Sequence, residues 1–184
     1  SQAVISGDAS AVIAGGVEDM FSVPMGGFNP SFHPELFERD FYIGMGETAE
    51  NLANELGISR ADQEDFAIES HTKALNAREK GYFDNEIVHV HSNDTTIIQD
   101  EGPREPDIDK IRSLDPAFDT DGTVTAATSS PVSIGGAMTL VVGDELAKLS
   151  GKDKFLIRSR SVSGVDWRTM GAGPLPATDK ALER

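Results

Sequence analysis

The chain has 184 residues and a formal charge of −15, from 31 acidic side chains against 16 basic ones; so acidic a surface repels nucleic acid and anionic lipid and excludes both as expected partners. With no cysteine, these residues offer no disulfide framework, thiolate metal site or thiol nucleophile. No apolar run approaches a membrane span and the start lacks the basic-then-apolar order of a secretion signal, so a soluble cytoplasmic chain is expected.

In chain order, Ser1 to Ser6 reads as the last turns of a helix with Gly7 as its C-terminal stop. Ala11 to Ala14 is a short buried-strand run predicted to end at Gly15-Gly16. Phe21 to Asp40 is rich in Pro, Gly and Phe without helical or strand period, which predicts a long ordered loop or an oligomer contact. His33 within it is read as a surface or packing residue. Two helices follow. Thr48 is the expected cap of the first, with Leu52 and Leu56 on its buried face and Gly57 ending it. Ser59 caps the second in a capping box with Asp62, and Phe66, Ala67, Ala74, Leu75 and Ala77 supply its apolar and small positions as far as Gly81. The acidic run from Asp62 to Asp65 reads as a solvated face, and His71, in mid-helix, as a contact to solvent or a neighbouring helix.

Downstream, Glu86 to His91 is a predicted strand. His89 and His91 would share one face, as zinc ligands can, but no third ligand is suitably spaced and an exposed strand face is the expectation. Asp119-x-Asp121-Gly122 lacks the remaining oxygens of a calcium loop and reads as a turn. Thr123 to Thr125 is β-branched and favours a strand. Ser129, Ser130, Pro131 and Gly135-Gly136 then form a tight turn before a second apolar strand, Ala137 to Val142. A small-residue, hydroxyl-rich turn between two strands lets backbone amides and hydroxyls approach a ligand closely. Gly171-x-Gly173 is followed by Pro174, which breaks a dinucleotide fingerprint, and Pro176 opens a helix of about two turns. Both ends look cut, and an internal piece of a larger fold is expected.

Several segments in fixed order carry a family resemblance. A-G-G-V-E-D-M at Ala14 to Met20, M-G-E-T-A-E-N at Met45 to Asn51, G-I-S-R-A-D-Q-E-D-F-A at Gly57 to Ala67 and G-Y-F-D-N-E-I-V at Gly81 to Val88 are similar to segments of the thiolases. So are D-E-G-P-R at Asp100 to Arg104, L-D-P-A-F at Leu114 to Phe118, G-T-V-T-A at Gly122 to Ala126 and M-G-A-G-P-L-P-A at Met170 to Ala177. Thiolases make or break a carbon–carbon bond between acyl groups carried on coenzyme A. The resemblance spans essentially the whole chain and implies an α/β, partial thiolase-like fold, with βαβ core strands flanking a mostly helical loop domain. The implied division is residues 1–20 as the end of the N-terminal half, 21–118 as the helical loop domain over coenzyme A, and 119–184 as the return strand and the start of the C-terminal half.

The resemblance also implies roles. The family's cysteine nucleophile takes the acyl group as a thioester; it precedes the A-G-G strand, and the remaining catalytic segments follow Arg184, so no catalytic residue is expected here. What is expected is a seat for coenzyme A or acyl-CoA as substrate, with no permanently bound cofactor and no metal. Arg104 corresponds to the arginine at the adenine end, where a guanidinium can stack on a purine. Ala126 and Ser130 correspond to contacts along the pantetheine arm, and Phe118 and Met45 to apolar residues along it or over the acyl pocket. Three positions depart from the family: Ile134 stands for its usual Asp, Gly136 for Ala, and Gly44 for the His of the acetoacetyl-handling branch. The last favours a degradative thiolase of longer acyl chains. The implied function is thiolytic cleavage of 3-ketoacyl-CoA or the reverse condensation, in a homodimer or homotetramer; a non-catalytic coenzyme A or lipid-binding relative and a structural subunit stay open as alternatives.

Overall fold

The computed structural model describes residues 1–149, 151 and 154–184. Contacts divide the chain into two compact units: Ser1–Glu35 with Val132–Gly164 and Gly173–Arg184, and Leu36–Pro131 with Val165–Ala172.

The first unit opens with the short helix α1 (Gln2–Ile5), which Gly7 stops at φ 82°. Its centre is a two-stranded antiparallel ribbon of β1 (Ala11–Asp19) and a strand here called β4 (Ile134–Val142), in register from Ala11 opposite Val142 to Asp19 opposite Ile134. Two sequence expectations are corrected here. Gly15-Gly16 does not end β1, because pairing with a distant partner along the whole strand overrides the weak local preference of two glycines. Nor do 123–125 and 137–142 form neighbouring strands: Thr125 makes an isolated bridge to Pro116, while β4 pairs with β1. The helices α6 (Asp144–Leu149) and α7 (Pro174–Leu182) complete this unit. Ser159 and Ser161 donate their hydroxyls to the carbonyls of Ala181 and Ala177, which ties the extended 154–164 segment to α7.

The second unit is mostly helical. The stretch expected to be loop contains the single turn α2 (Pro34–Phe37), which straddles the boundary between Glu35 and Leu36. Next come α3 (Met45–Leu56) and α4 (Arg60–Glu79), a hairpin of β2 (Val90–Ser92) and β3 (Thr95–Ile97), and α5 (Ile108–Arg112). Gly44, extended at φ −71° and ψ 153°, begins α3, its N–H donating to Glu47 Oε2 at 2.9 Å. Thr48 is therefore not the cap but a buried first-turn residue that donates to the Met45 carbonyl. Gly57 stops α3 in the left-handed region at φ 65°, as expected. On its buried side lies Ala53, whereas Leu56 is exposed. Asn51 Nδ2 donates to the Arg168 carbonyl, fastening α3 to the kinked 3-10 segment Trp167–Ala172, where Trp167 packs beside Phe41 with ring centroids 5.8 Å apart. The predicted strand at 86–91 starts only at Val90, and the imidazole of His91 pairs with Thr96 Oγ1 across the hairpin.

Ser59 and Asp62 form the expected capping box on α4. The acidic run behind it is not a uniformly solvated face. Glu64 is 3% exposed and accepts from Arg60 Nε at 2.7 Å, while Arg60 Nη2 also reaches the Leu114 carbonyl. Phe66, expected in the helix core, is 74% exposed in a cavity wall.

Candidate coenzyme-binding site

The segment from Gly122 to Pro131 is fixed from two sides. At its start the carboxylate of Glu50, on α3, accepts Thr123 N–H with both oxygens at 2.9 Å, Val124 N–H at 2.7 Å and the Thr123 hydroxyl at 3.1 Å. Gln63, on α4, donates to the same hydroxyl oxygen at 2.9 Å. Further along, the fully buried Thr125 organises the turn. Its N–H donates to Thr128 Oγ1, and its carbonyl accepts the Thr128 N–H, the Thr128 hydroxyl and, at 2.8 Å, the Ser129 hydroxyl. These bonds satisfy the polar groups a buried turn would otherwise leave unpaired. Ser130, one residue on, is exposed and makes no hydrogen bond among the described residues.

Two adjoining cavities open on this turn. The larger, about 770 Å³, lies between α3, α4 and Val124 to Pro131, and its wall includes Leu52, Phe66, His71, Ser129 and Ser130. The smaller, about 380 Å³, is walled by Arg104, Asp107, Lys110, Ile111 and Ala126. His71 and Ala127 line both. His71 is half-buried, and its Nδ1 accepts the Arg104 backbone N–H at 3.3 Å, joining α4 to the loop before α5. The Arg104 side chain is exposed and meets no carboxylate among the described residues, whereas Asp107 is occupied in capping α5 through the Lys110 N–H. The result is a pair of adjoining, mostly apolar cavities with the exposed Ser130 in the wall of one and the exposed Arg104 in the wall of the other.

Of the residues singled out from the sequence, Ser130 lies at the larger cavity and Arg104 and Ala126 at the smaller. Met45 and Phe118 line neither. Met45 opens α3, and the Phe118 ring covers the next residue, Gly46, so closely that a Cβ there would sit 2.1 Å from Phe118 Cγ. Sequence reasoning missed Glu50, whose only visible signal was an acid on the buried side of an amphipathic helix, and Phe66 as a cavity wall.

This architecture defines an α/β class in which most of a helical, cavity-bearing unit falls in sequence between two paired strands. The description "Thiolase, N-terminal domain" matches residues 1–145, and the chain belongs to the thiolase family. It is 43% identical to a 3-ketoacyl-CoA thiolase of Aliivibrio fischeri and 38% identical to a probable acetyl-CoA acyltransferase of Staphylococcus aureus, aligning over its whole length to 50% and 52% of theirs. Among solved structures, the dimeric peroxisomal thiolase of Saccharomyces cerevisiae superposes with a TM-score of 0.82 at 34% identity, covering 99% of this chain and 49% of that one. An acetyl-CoA acetyltransferase from Syntrophomonas wolfei superposes with a TM-score of 0.81 at 29% identity, covering 99% and 50%. The chain thus spans about half the length of the curated relatives it matches. Among the described residues no helix is long and apolar enough to cross a membrane.

Proposed function

We propose that the whole protein transfers acyl groups to and from coenzyme A, cleaving 3-ketoacyl-CoA by thiolysis or running the reverse condensation, and that this chain supplies the surface along which coenzyme A lies. The observation that carries this reading is the pair of adjoining cavities, with the exposed Arg104 in the wall of one and the exposed Ser130 in the wall of the other. A long ligand with a charged aromatic head and an amide-bearing arm matches that division. Arg104 takes the adenine end. Ala126 and Ser130 meet the pantetheine arm, where a hydroxyl can bond an amide and a small side chain lets the arm approach the backbone. Phe118, against Gly46 in the first turn of α3, and Met45, which opens that helix, serve the acyl end in this reading. The loop domain of this reading is 21–118, between the end of one core half at 1–20 and the return strand at 119–184. The reading extends to a cytoplasmic homodimer or homotetramer acting in fatty-acid degradation; the dimeric yeast neighbour supports an oligomer, and the relative named for 3-ketoacyl-CoA supports that substrate class.

Coenzyme A titrated against the whole protein and two variants, at low and high ionic strength, tests the assignment. Arg104→Ala should cost about 1–2 kcal/mol, the range of a partly exposed cation–π contact, with the loss shrinking in salt as far as charge contributes. Ser130→Ala should cost about 1 kcal/mol, one neutral hydrogen bond, at either salt concentration. Unchanged affinity in both variants would place the coenzyme elsewhere.

A further inference from the structure

We propose that Glu50 is a positioning residue for coenzyme A: its buried carboxylate clasps Thr123 and Val124 and so sets the turn that presents Ala126 and Ser130 to the two cavities. The inference rests on the coenzyme reading above. Glu50 is 5% exposed, and no Lys or Arg pairs with it among the described residues. A carboxylate in that position is costly unless hydrogen bonds replace its water. Here the replacement donors all belong to one short segment: Thr123 N–H, Val124 N–H and the Thr123 hydroxyl, between 2.7 and 3.1 Å. Charge-assisted bonds of this kind are roughly twice as strong as neutral ones, so the carboxylate is the strongest anchor the segment has.

Gly122 is shaped for the same contact. A Cβ at that position would lie 2.3 Å from Glu50 Oε1 and 2.7 Å from its Cδ, so only glycine lets the carboxylate approach. Val124, the last residue clasped, is buried, and the Thr125-centred turn follows at once. A shift at Thr123 or Val124 is therefore carried into Ala126 and Ser130. Glu50 itself lines neither cavity, so it acts through the turn.

In Glu50→Gln an amide NH₂ replaces one acceptor, leaving a donor facing a donor. Gly122→Ala keeps the carboxylate but displaces it, so it serves where the first variant folds poorly. In the whole protein both should raise KM for coenzyme A about tenfold while kcat stays within about twofold, because a handle remote from the reacting carbon binds ground and transition states alike. Amide hydrogen exchange at 123–130 should accelerate in both, with α4 unchanged. A variant with faster exchange but wild-type KM overturns the proposal, as does unchanged exchange, or a fall in kcat matching the change in kcat/KM. If Arg104→Ala still weakens coenzyme A in the same series, the coenzyme reading survives that failure. If Arg104→Ala, Ser130→Ala and Glu50→Gln all bind as wild type, both readings fall.

Discussion

Arg60 and Glu64 stand one helical turn apart, a spacing visible in the sequence, yet their partners are not visible there. Glu64 is buried, and the other end of the Arg60 guanidinium donates to the carbonyls of Arg112 and Leu114. Charge alone made the run around Glu64 look solvated, as its neighbour Asp65 is, exposed and paired with Arg112. The same limit hid Glu50, whose donors lie beyond residue 120. Magnitudes distinguish the ion pairs. Arg60→Met strands a nearly buried carboxylate and should destabilise by about 3 kcal/mol. Lys73→Met breaks a pair whose side chains are 73% and 61% exposed and should change stability by less than about 0.5 kcal/mol. Urea unfolding of both variants in the whole protein measures the contrast, and equal effects would count against it. Asp166 gives a pH marker at this scale. The side-chain hydrogen bond from Arg168, and then the Arg168 backbone N–H, hold its carboxyl down at about 2 against an ordinary 3.8. A depressed carboxyl favours the folded state above its unfolded value, and that contribution is lost as pH falls through about 2. A carbon-detected NMR titration should place the midpoint there, and Arg168→Ala should move it part of the way back, since the backbone bond persists.

Elements were legible where their signals are local. The Ser59 and Asp62 box, the Gly7 and Gly57 stops and the Asp119 turn depend on residues within a few positions of one another, and all are present. Elements defined by a distant partner were not. Thr123 to Thr125 has strand chemistry, but its backbone donors at Thr123 and Val124 go to Glu50. The strand at 134–142 takes a partner more than a hundred residues earlier. Thr48 misled for a related reason: a cap-type residue beside two leucines looks like a helix start, yet extended Gly44 and the Glu47 carboxylate begin the helix one turn sooner. The cavity-lining turn was suggested by its run of small hydroxyl residues, whereas the cavity's other wall required α3 and α4 to be in place. The local signal can be tested directly. Ser59→Ala removes the acceptor for the Asp62 N–H and half of a reciprocal cap, so it should cost about 1 kcal/mol. A chemical melt of the whole protein checks this, and a loss below a few tenths would mean that packing alone fixes the start of α4.

At the scale of the whole chain the ribbon of β1 and β4 makes the clearest statement. Side chains alternate across a strand, so the antiparallel register puts Ile13, Val17, Ile134, Met138 and Leu140 on one face. All are exposed, from 63% at Ile134 to 83% at Val17 and Met138. At roughly 25 cal/mol for each Å² removed from water, covering such a face contributes several kcal/mol, and among the described residues neither outer edge of the ribbon pairs with a further strand. The 184 residues studied alone should therefore self-associate, through the face, the edges or both. Sedimentation velocity across a dilution series should show mass rising with concentration. Val17→Lys with Leu140→Lys places two cations on that face, and it should return the chain toward a monomer without loss of the helices of the other unit. Neither outcome involves chemistry: with no cysteine among them, the same 184 residues cannot carry a cysteine-bound acyl group, and should show no thiolysis of a 3-ketoacyl-CoA in any assembly state. A concentration-independent monomer with a single sharp melt would mean that the ribbon face is stable in water. An association unchanged by the two lysines would move the contact to the strand edges.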